Sequence, residues 1–148
     1  HIKAIDEIGK YSGIYGMIGG QVIDLLSNDI SMDEDKLIFM YKCKTAALIQ
    51  ASVVAGAILG KGTDDEIENM REFGLNLGLA YQIKDDILDE KEDNIINKVT
   101  YLSFNDREAA INKIDELSRK AMERLEFYEY RNTEFLKKLT KKLITRSY

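Results

Sequence analysis

Tyr81-Gln82-Ile83-Lys84-Asp85-Asp86-Ile87-Leu88-Asp89 closes an apolar run that starts at Phe73 and is dotted with Gly74 and Gly78. At 3.6 residues per turn, Asp85 and Asp89 share one helical face and Gln82 joins them from the preceding turn, with Asp86 about 100° round near the edge. Carboxylates at this spacing repel, by a few tenths of a kcal/mol when exposed and by more when sheltered. A solvated acidic face is the ordinary fate of such a cluster. The apolar turns before it argue for a buried helix instead, and buried aspartates must be compensated. Hard oxygen ligands on one rigid helix, with water completing the shell, suit Mg²⁺ shared with phosphate oxygens.

The sequence around this stretch reads as helix nearly throughout. The chain has 148 residues, 45% of them apolar, and neither proline nor tryptophan. A chain of this size buries roughly two-thirds of its unfolded surface, enough for one domain with one core. Five helical segments are predicted, at about 3–27, 33–60, 63–90, 105–128 and 133–146, in a bundle of mostly antiparallel helices. Gly60-Lys61-Gly62 stops the second segment. Thr63 followed by Glu66 is a capping box opening the third, and Ser31 or Asp33 can cap the second. Residues 91–101 have no strong period and form the expected loop.

In the first segment Gly9, Gly13, Gly16 and Gly20 recur every three or four residues, which leaves one stripe without side chains. Each glycine costs about 1 kcal/mol against alanine inside a helix, so close helix packing is the expected reason, with ligand approach the alternative. In the fourth segment Ile111, Ile114, Leu117, Ala121 and Leu125 form the apolar stripe of an ordinary surface helix.

Composition removes several classes of chemistry. The net charge of −5 argues against binding nucleic acid or anionic membrane through charge. Cys43 is the single cysteine and His1 the single histidine, so no internal disulfide, Cys/His zinc site or histidine-based nucleophilic triad can be assembled. The longest apolar run, 45–60, is interrupted by Gln50 and Ser52 and falls short of the roughly 18 residues of a spanning helix. No transmembrane segment and a cytoplasmic location are therefore expected. Any metal must be held by oxygen, and any catalysis must use carboxylates, lysines and metal.

Two further constellations accompany the aspartates. Gly19-Gly20-Gln21-Val22-Ile23-Asp24 sets a glutamine and an aspartate three apart at the end of the glycine-rich segment. Lys42-Cys43-Lys44-Thr45 places basic groups and a hydroxyl at the mouth of the most apolar one. Lys44 alone could be a surface lysine laying its stem along apolar neighbours or a phosphate ligand.

The order Gly16-Met17-Ile18-Gly19-Gly20-Gln21 with Asp24, then Lys44-Thr45, then Gln82 with Asp85-Asp86-Ile87-Leu88-Asp89, then Asn97-Lys98-Val99-Thr100-Tyr101, closely resembles the later half of the trans-prenyltransferase family. Farnesyl and geranylgeranyl diphosphate synthases belong to it. The resemblance runs from about Gly13 to the end. It implies an all-α helical bundle of the isoprenoid synthase type, present here as a carboxyl-terminal part of about five helices, with residues 1–148 forming part of a single prenyltransferase domain.

In that family an allylic diphosphate is ionised with the help of three Mg²⁺ ions, and the carbocation alkylates the double bond of isopentenyl diphosphate. By resemblance, Asp85 is the direct Mg²⁺ ligand, supported through water by Asp86 and Asp89. Lys44 and Lys98 contact the allylic diphosphate, and Thr45 and Gln82 stabilise the forming cation. Gln21 and Asp24 join Lys44 and Lys98 on the substrate side. The family's first aspartate-rich motif and its isopentenyl-binding basic residues have no counterpart before Gly13. Only about eight residues separate Asp89 from Lys98, where the family usually has a longer loop. The expected function is isoprenyl diphosphate synthesis, with a homodimer as the expected assembly and no turnover by these residues alone. The alternatives are a non-catalytic subunit of a heteromeric synthase and a terpene cyclase of the same fold.

Overall fold

The computed structural model describes residues 1–27, 30–128 and 131–146, and every regular element among them is helical. In order these are α1 (Ile2–Ser12), α2 (Met17–Leu26), α3 (Glu34–Tyr41), a π-helical turn (Lys42–Ala46), α4 (Ala47–Leu59), α5 (Asp64–Leu88), α6 (Glu90–Ile95), a 3₁₀ turn (Tyr101–Ser103), α7 (Arg107–Glu126) and α8 (Glu134–Ile144). The expected all-α architecture is present.

Local chemistry sets most of the ends. Asp33 caps α3 by accepting from the Lys36 amide at 2.9 Å. The Thr63 hydroxyl accepts from the Glu66 amide while the Glu66 carboxylate accepts from the Thr63 amide, the reciprocal capping box read from the sequence. At the end of α4 the Gly62 amide reaches the Ala57 carbonyl and the Lys61 amide that of Ile58, a Schellman closure. Its left-handed residue is Lys61 at φ 56°, not either flanking glycine.

The first predicted segment is two helices. Gly13 is extended, and the chain turns so that a Cβ on Gly16 would lie 1.9 Å from the Tyr11 carbonyl oxygen. The supposed stripe therefore divides: Gly9 faces open space, Gly16 makes the turn, and Gly20 packs against the π-helical turn. The predicted loop after α5 also holds a helix, α6, opened by Glu90, Glu92 and Asp93 in its first turn, where acidic residues favour the helix dipole.

Helix α5 is the spine, packed along one side by α4 and along another by α7, with α1 crossing α4. One core joins Leu37, Met40, Tyr41, Ile83 and Ile87 to Tyr101, Ile114 and Leu117. The other joins Met70, Phe73 and Leu77 to Ala121 and Leu125. The apolar stripe of α7 matches the expectation except at its start, where Ala110 is buried and Ile111 is 46% exposed. The continuous helix 34–59 has the length and composition to cross a membrane, and half of its most apolar window is buried inside the fold.

The surface is large for the mass. The 16.9 kDa chain exposes 9133 Å², against about 7,700 Å² for a compact monomer of that size. Much of the exposed apolar surface lies on α2 and the turn before it, where Ile14, Tyr15, Ile18 and Leu25 are each more than half exposed.

Candidate active site

The end of α2, the π-helical turn, the last turns of α5 and the loop after α6 converge on one end of the bundle. The turn is seated between two glycines. A Cβ on Gly20 would lie 2.5 Å from the Lys44 amide nitrogen, and one on Gly78 would lie 2.4 Å from the Ala46 Cα. Such widened turns recur at functional sites because they redirect side chains without ending the helix. Here the turn carries Lys44 and Thr45.

The predicted residues are brought together. Lys44 Nζ pairs with Asp24 Oδ2 at 2.5 Å across the α2 contact. The Thr45 hydroxyl donates to Gln82 Oε1 at 2.8 Å, and Gln82 Nε2 lies 3.5 Å from Asp86 Oδ1. Lys98 pairs with Asp93 at 3.1 Å. Burial acts to lower the Lys98 pKa, but the Asp93 hydrogen bond and the charges of Asp93, Asp86 and Asp24 outweigh it and hold the ammonium above its usual value. Burial, reinforced by the charge of Asp89, holds the Asp85 carboxyl above its usual value against the opposing charges of Arg146 and Lys98. Gln21 lies exposed on α2.

The three aspartates of the motif do different things. Asp86 is 1% exposed, turned into the core. Its Oδ2 accepts from the Tyr41 hydroxyl at 2.5 Å and from the Tyr101 amide at 2.8 Å, while Oδ1 faces Gln82. Burial raises the Asp86 pKa and those donors oppose the rise. Burial also raises the Tyr41 pKa, with the Asp86 charge adding to it, so the shared proton stays on the phenol. Asp85 remains on the open side, ion-paired with Arg146, whose guanidinium stacks on the Tyr81 ring 3.8 Å from its centroid. Asp89 sits at the junction of α5 and α6.

Among the described residues no group of three or more carboxylate, cysteine or histidine side chains is arranged to hold a metal ion. Mg²⁺ asks for less: one or two carboxylates, with water and substrate phosphate completing its shell. Asp85 and Asp89, electrostatically coupled on one open face, fit that demand, and Asp86, with its oxygens facing protein donors, does not share the face.

Residues 11–145 match the family model described as polyprenyl synthetase. The chain belongs to the polyprenyl synthetase family. It is 38% identical over 138 residues to the heterodimeric geranylgeranyl pyrophosphate synthase large subunit 1 of Arabidopsis thaliana, covering 84% of this chain and 37% of that protein. The geranylgeranyl pyrophosphate synthase of Capsicum annuum is 37% identical over 142 residues, covering 88% of this chain and 38% of its own. An FPP/GFPP synthase crystal structure from Zymomonas mobilis superposes with a TM-score of 0.86 at 28% identity, covering 96% of this chain and 50% of that one. The geranyltransferase of Helicobacter pylori, in a crystal structure complexed with magnesium and isoprenyl diphosphate, gives 0.75 at 26% identity, covering 97% and 50%. The chain thus spans about half the length of these solved structures, and less of the curated relatives.

In this polyprenyl synthetase chain the sequence reading missed four participants: Tyr41, Asp93, Tyr101 and Arg146. Asp93 had a local signal, five residues before Lys98 in an acidic helix start. Tyr101 closed the motif read around Lys98, but its amide contact with Asp86 had no local signal, and Tyr41 and Arg146, which act across the fold, left none.

Proposed function

We propose that the full-length protein is an isoprenyl diphosphate synthase that condenses isopentenyl diphosphate with an allylic diphosphate, and that residues 1–148 are the carboxyl-terminal part of its single prenyltransferase domain. The observation that carries this reading is the convergence of Lys44, Thr45, Gln82, Asp85 and Lys98 at one end of α4 and α5.

Lys44 and Lys98 present two cationic ends to the diphosphate, so the electron pair of the breaking allylic C–O bond leaves into a positive field. Asp24 and Asp93 hold those ammonium groups in place. Thr45 Oγ1 donates its own proton to Gln82, which leaves its lone pairs free to stabilise a developing cation. The isopentenyl double bond then attacks the allylic carbon, and the proton lost from the new cation goes to the departing diphosphate. Asp85 and Asp89 would hold Mg²⁺, which supplies charge that offsets the leaving group. Arg146, now on Asp85, would have to move aside for it.

A homodimer is part of the proposal. It is supported by the surplus surface and the exposed apolar side chains of α2, which the rest of the domain and a second copy can cover.

Incubating the full-length protein with Mg²⁺, isopentenyl diphosphate and a short allylic diphosphate tests the reading. Chain-elongated diphosphate is expected, and Asp85→Ala is expected to abolish most of it. Release of diphosphate without consumption of isopentenyl diphosphate would instead identify a cyclase. Activity only with a second polypeptide would identify a subunit of a heteromeric synthase.

A further inference from the structure

We infer that Tyr41 is a positioning residue: through Asp86 it fixes the side-chain amide of Gln82 in the orientation that meets Thr45. The inference rests on the proposed synthase function.

Tyr41 is the last residue before the π-helical turn, 3% exposed, and its hydroxyl is 2.5 Å from Asp86 Oδ2. That bond ties the start of the turn to α5, 45 residues along the chain. The close approach of Gly78 to Ala46 fixes how near the turn lies to α5. The Tyr41 bond ties the start of that turn to Asp86, one helical turn beyond Gln82 on α5.

The same carboxylate settles which way the Gln82 amide faces. An amide can present oxygen or nitrogen to either side. The Asp86 carboxylate can only accept, so it takes the Nε2 side, and Oε1 is left for the Thr45 hydroxyl. Asp86 also accepts from the Tyr101 amide, three residues past Lys98, so one buried group registers three segments of the site. Its job is that of an anchor, and Tyr41 is the side chain that holds it.

Tyr41→Phe keeps the ring and removes only the donor. In the full-length synthase it is expected to lower kcat about tenfold, as loss of alignment does, with both KM values within about twofold. In a Gln82→Ala background the same change is expected to cost less than about twofold. Equal losses in both backgrounds, or no loss in either, overturn the inference. The Gln82 side-chain amide signals, assigned by their disappearance in Gln82→Ala, give a readout that needs no turnover. They are expected to shift and exchange faster in Tyr41→Phe, and unchanged signals overturn the inference whether or not the wild type is active. An inactive wild type with shifted signals removes the synthase reading alone. Should Tyr41→Phe melt too low to study at the assay temperature, the same measurements are made on variant and wild type together at a temperature well below its melting point.

Discussion

Arg146 and Asp85 form an ion pair that joins the chain just beyond α8 to the acidic face at the end of α5, 61 residues earlier. The pair answers the repulsion between Asp85 and Asp89 with a cation from the protein itself. Both side chains are about one-quarter exposed, so the pair is partly sheltered from solvent.

Removing that cation should therefore help another one bind. Arg146→Gln is expected to tighten Mg²⁺ binding in the presence of diphosphate by roughly fivefold, the equivalent of about 1 kcal/mol for a partly exposed pair. The cation-free protein should melt lower. Titration calorimetry on the wild type and the variant checks this, and weaker binding in the variant would make Arg146 part of the ligand site.

Lys44 should matter for turnover and hardly for stability. Its partner Asp24 is three-quarters buried but Lys44 itself is 39% exposed, and pairs of this kind contribute little to folding. Lys44→Ala is expected to lower kcat about 10²-fold, the usual cost of losing a preorganised charge opposite a leaving group. Thermal melts should coincide within about 2 °C. A collapse in melting temperature would mean that the lysine stem is packing.

The contrast between these residues and Asp86 shows where sequence reading reaches. Thr63 with Glu66, and Asp33, were readable because a cap is decided within four residues. The α7 stripe was readable because 3.6-residue periodicity survives packing, except at Ile111, which is 46% exposed while the adjacent Ala110 takes the buried position. Asp86 was not, because its turn inward is set by Tyr41 and by the backbone of Tyr101, both remote along the chain. Helical spacing put it near the edge of a shared face, and only the partners decide to which side the edge belongs. The glycine spacing in the first segment was similarly ambiguous: it fitted a stripe, while the Tyr11 carbonyl at Gly16 makes a turn.

Acid should loosen the α7 surface in a defined window. Hydrogen bonds from Lys120 and then Lys113 pull the Glu116 carboxyl down to about 2 from its ordinary 4.5. A folded pKa below the unfolded one adds stability that is fully present above about 4.5 and lost as pH falls toward about 2. Glu116→Gln should thus melt below the wild type at pH 7, and the gap should close between pH 4.5 and pH 2. Glu116 and both lysines are partly exposed at the surface, so 1 M salt should also narrow the gap. A gap independent of pH would show that shape, not charge, is what the substitution alters.

Two glycines one helix apart should respond in opposite directions to the same methyl group. At Gly56 on α4 an added Cβ meets nothing within 4 Å. Gly56→Ala should therefore gain about 0.5–1 kcal/mol from lower unfolded-chain entropy and better helix propensity. At Gly78 on α5 the same Cβ would come within 2.4 Å of the Ala46 Cα and 2.6 Å of its Cβ. The obstacle is the backbone of the π-helical turn, which cannot swing aside as a flexible side chain can. Gly78→Ala should force α4 and α5 apart and cost about 2–3 kcal/mol, in the range of core overpacking. For a chain of this length, at about 2–4 °C per kcal/mol, that is a fall of roughly 5–10 °C, against a rise of about 2–3 °C for Gly56→Ala. Because Thr45 rides on the displaced turn while Gln82 rides on α5, the survivors of Gly78→Ala should also lose turnover beyond what their folded fraction explains. A stable, fully active Gly78→Ala protein would show that the turn can move without consequence, and the close seat between Gly20 and Gly78 would then have no part in holding the site.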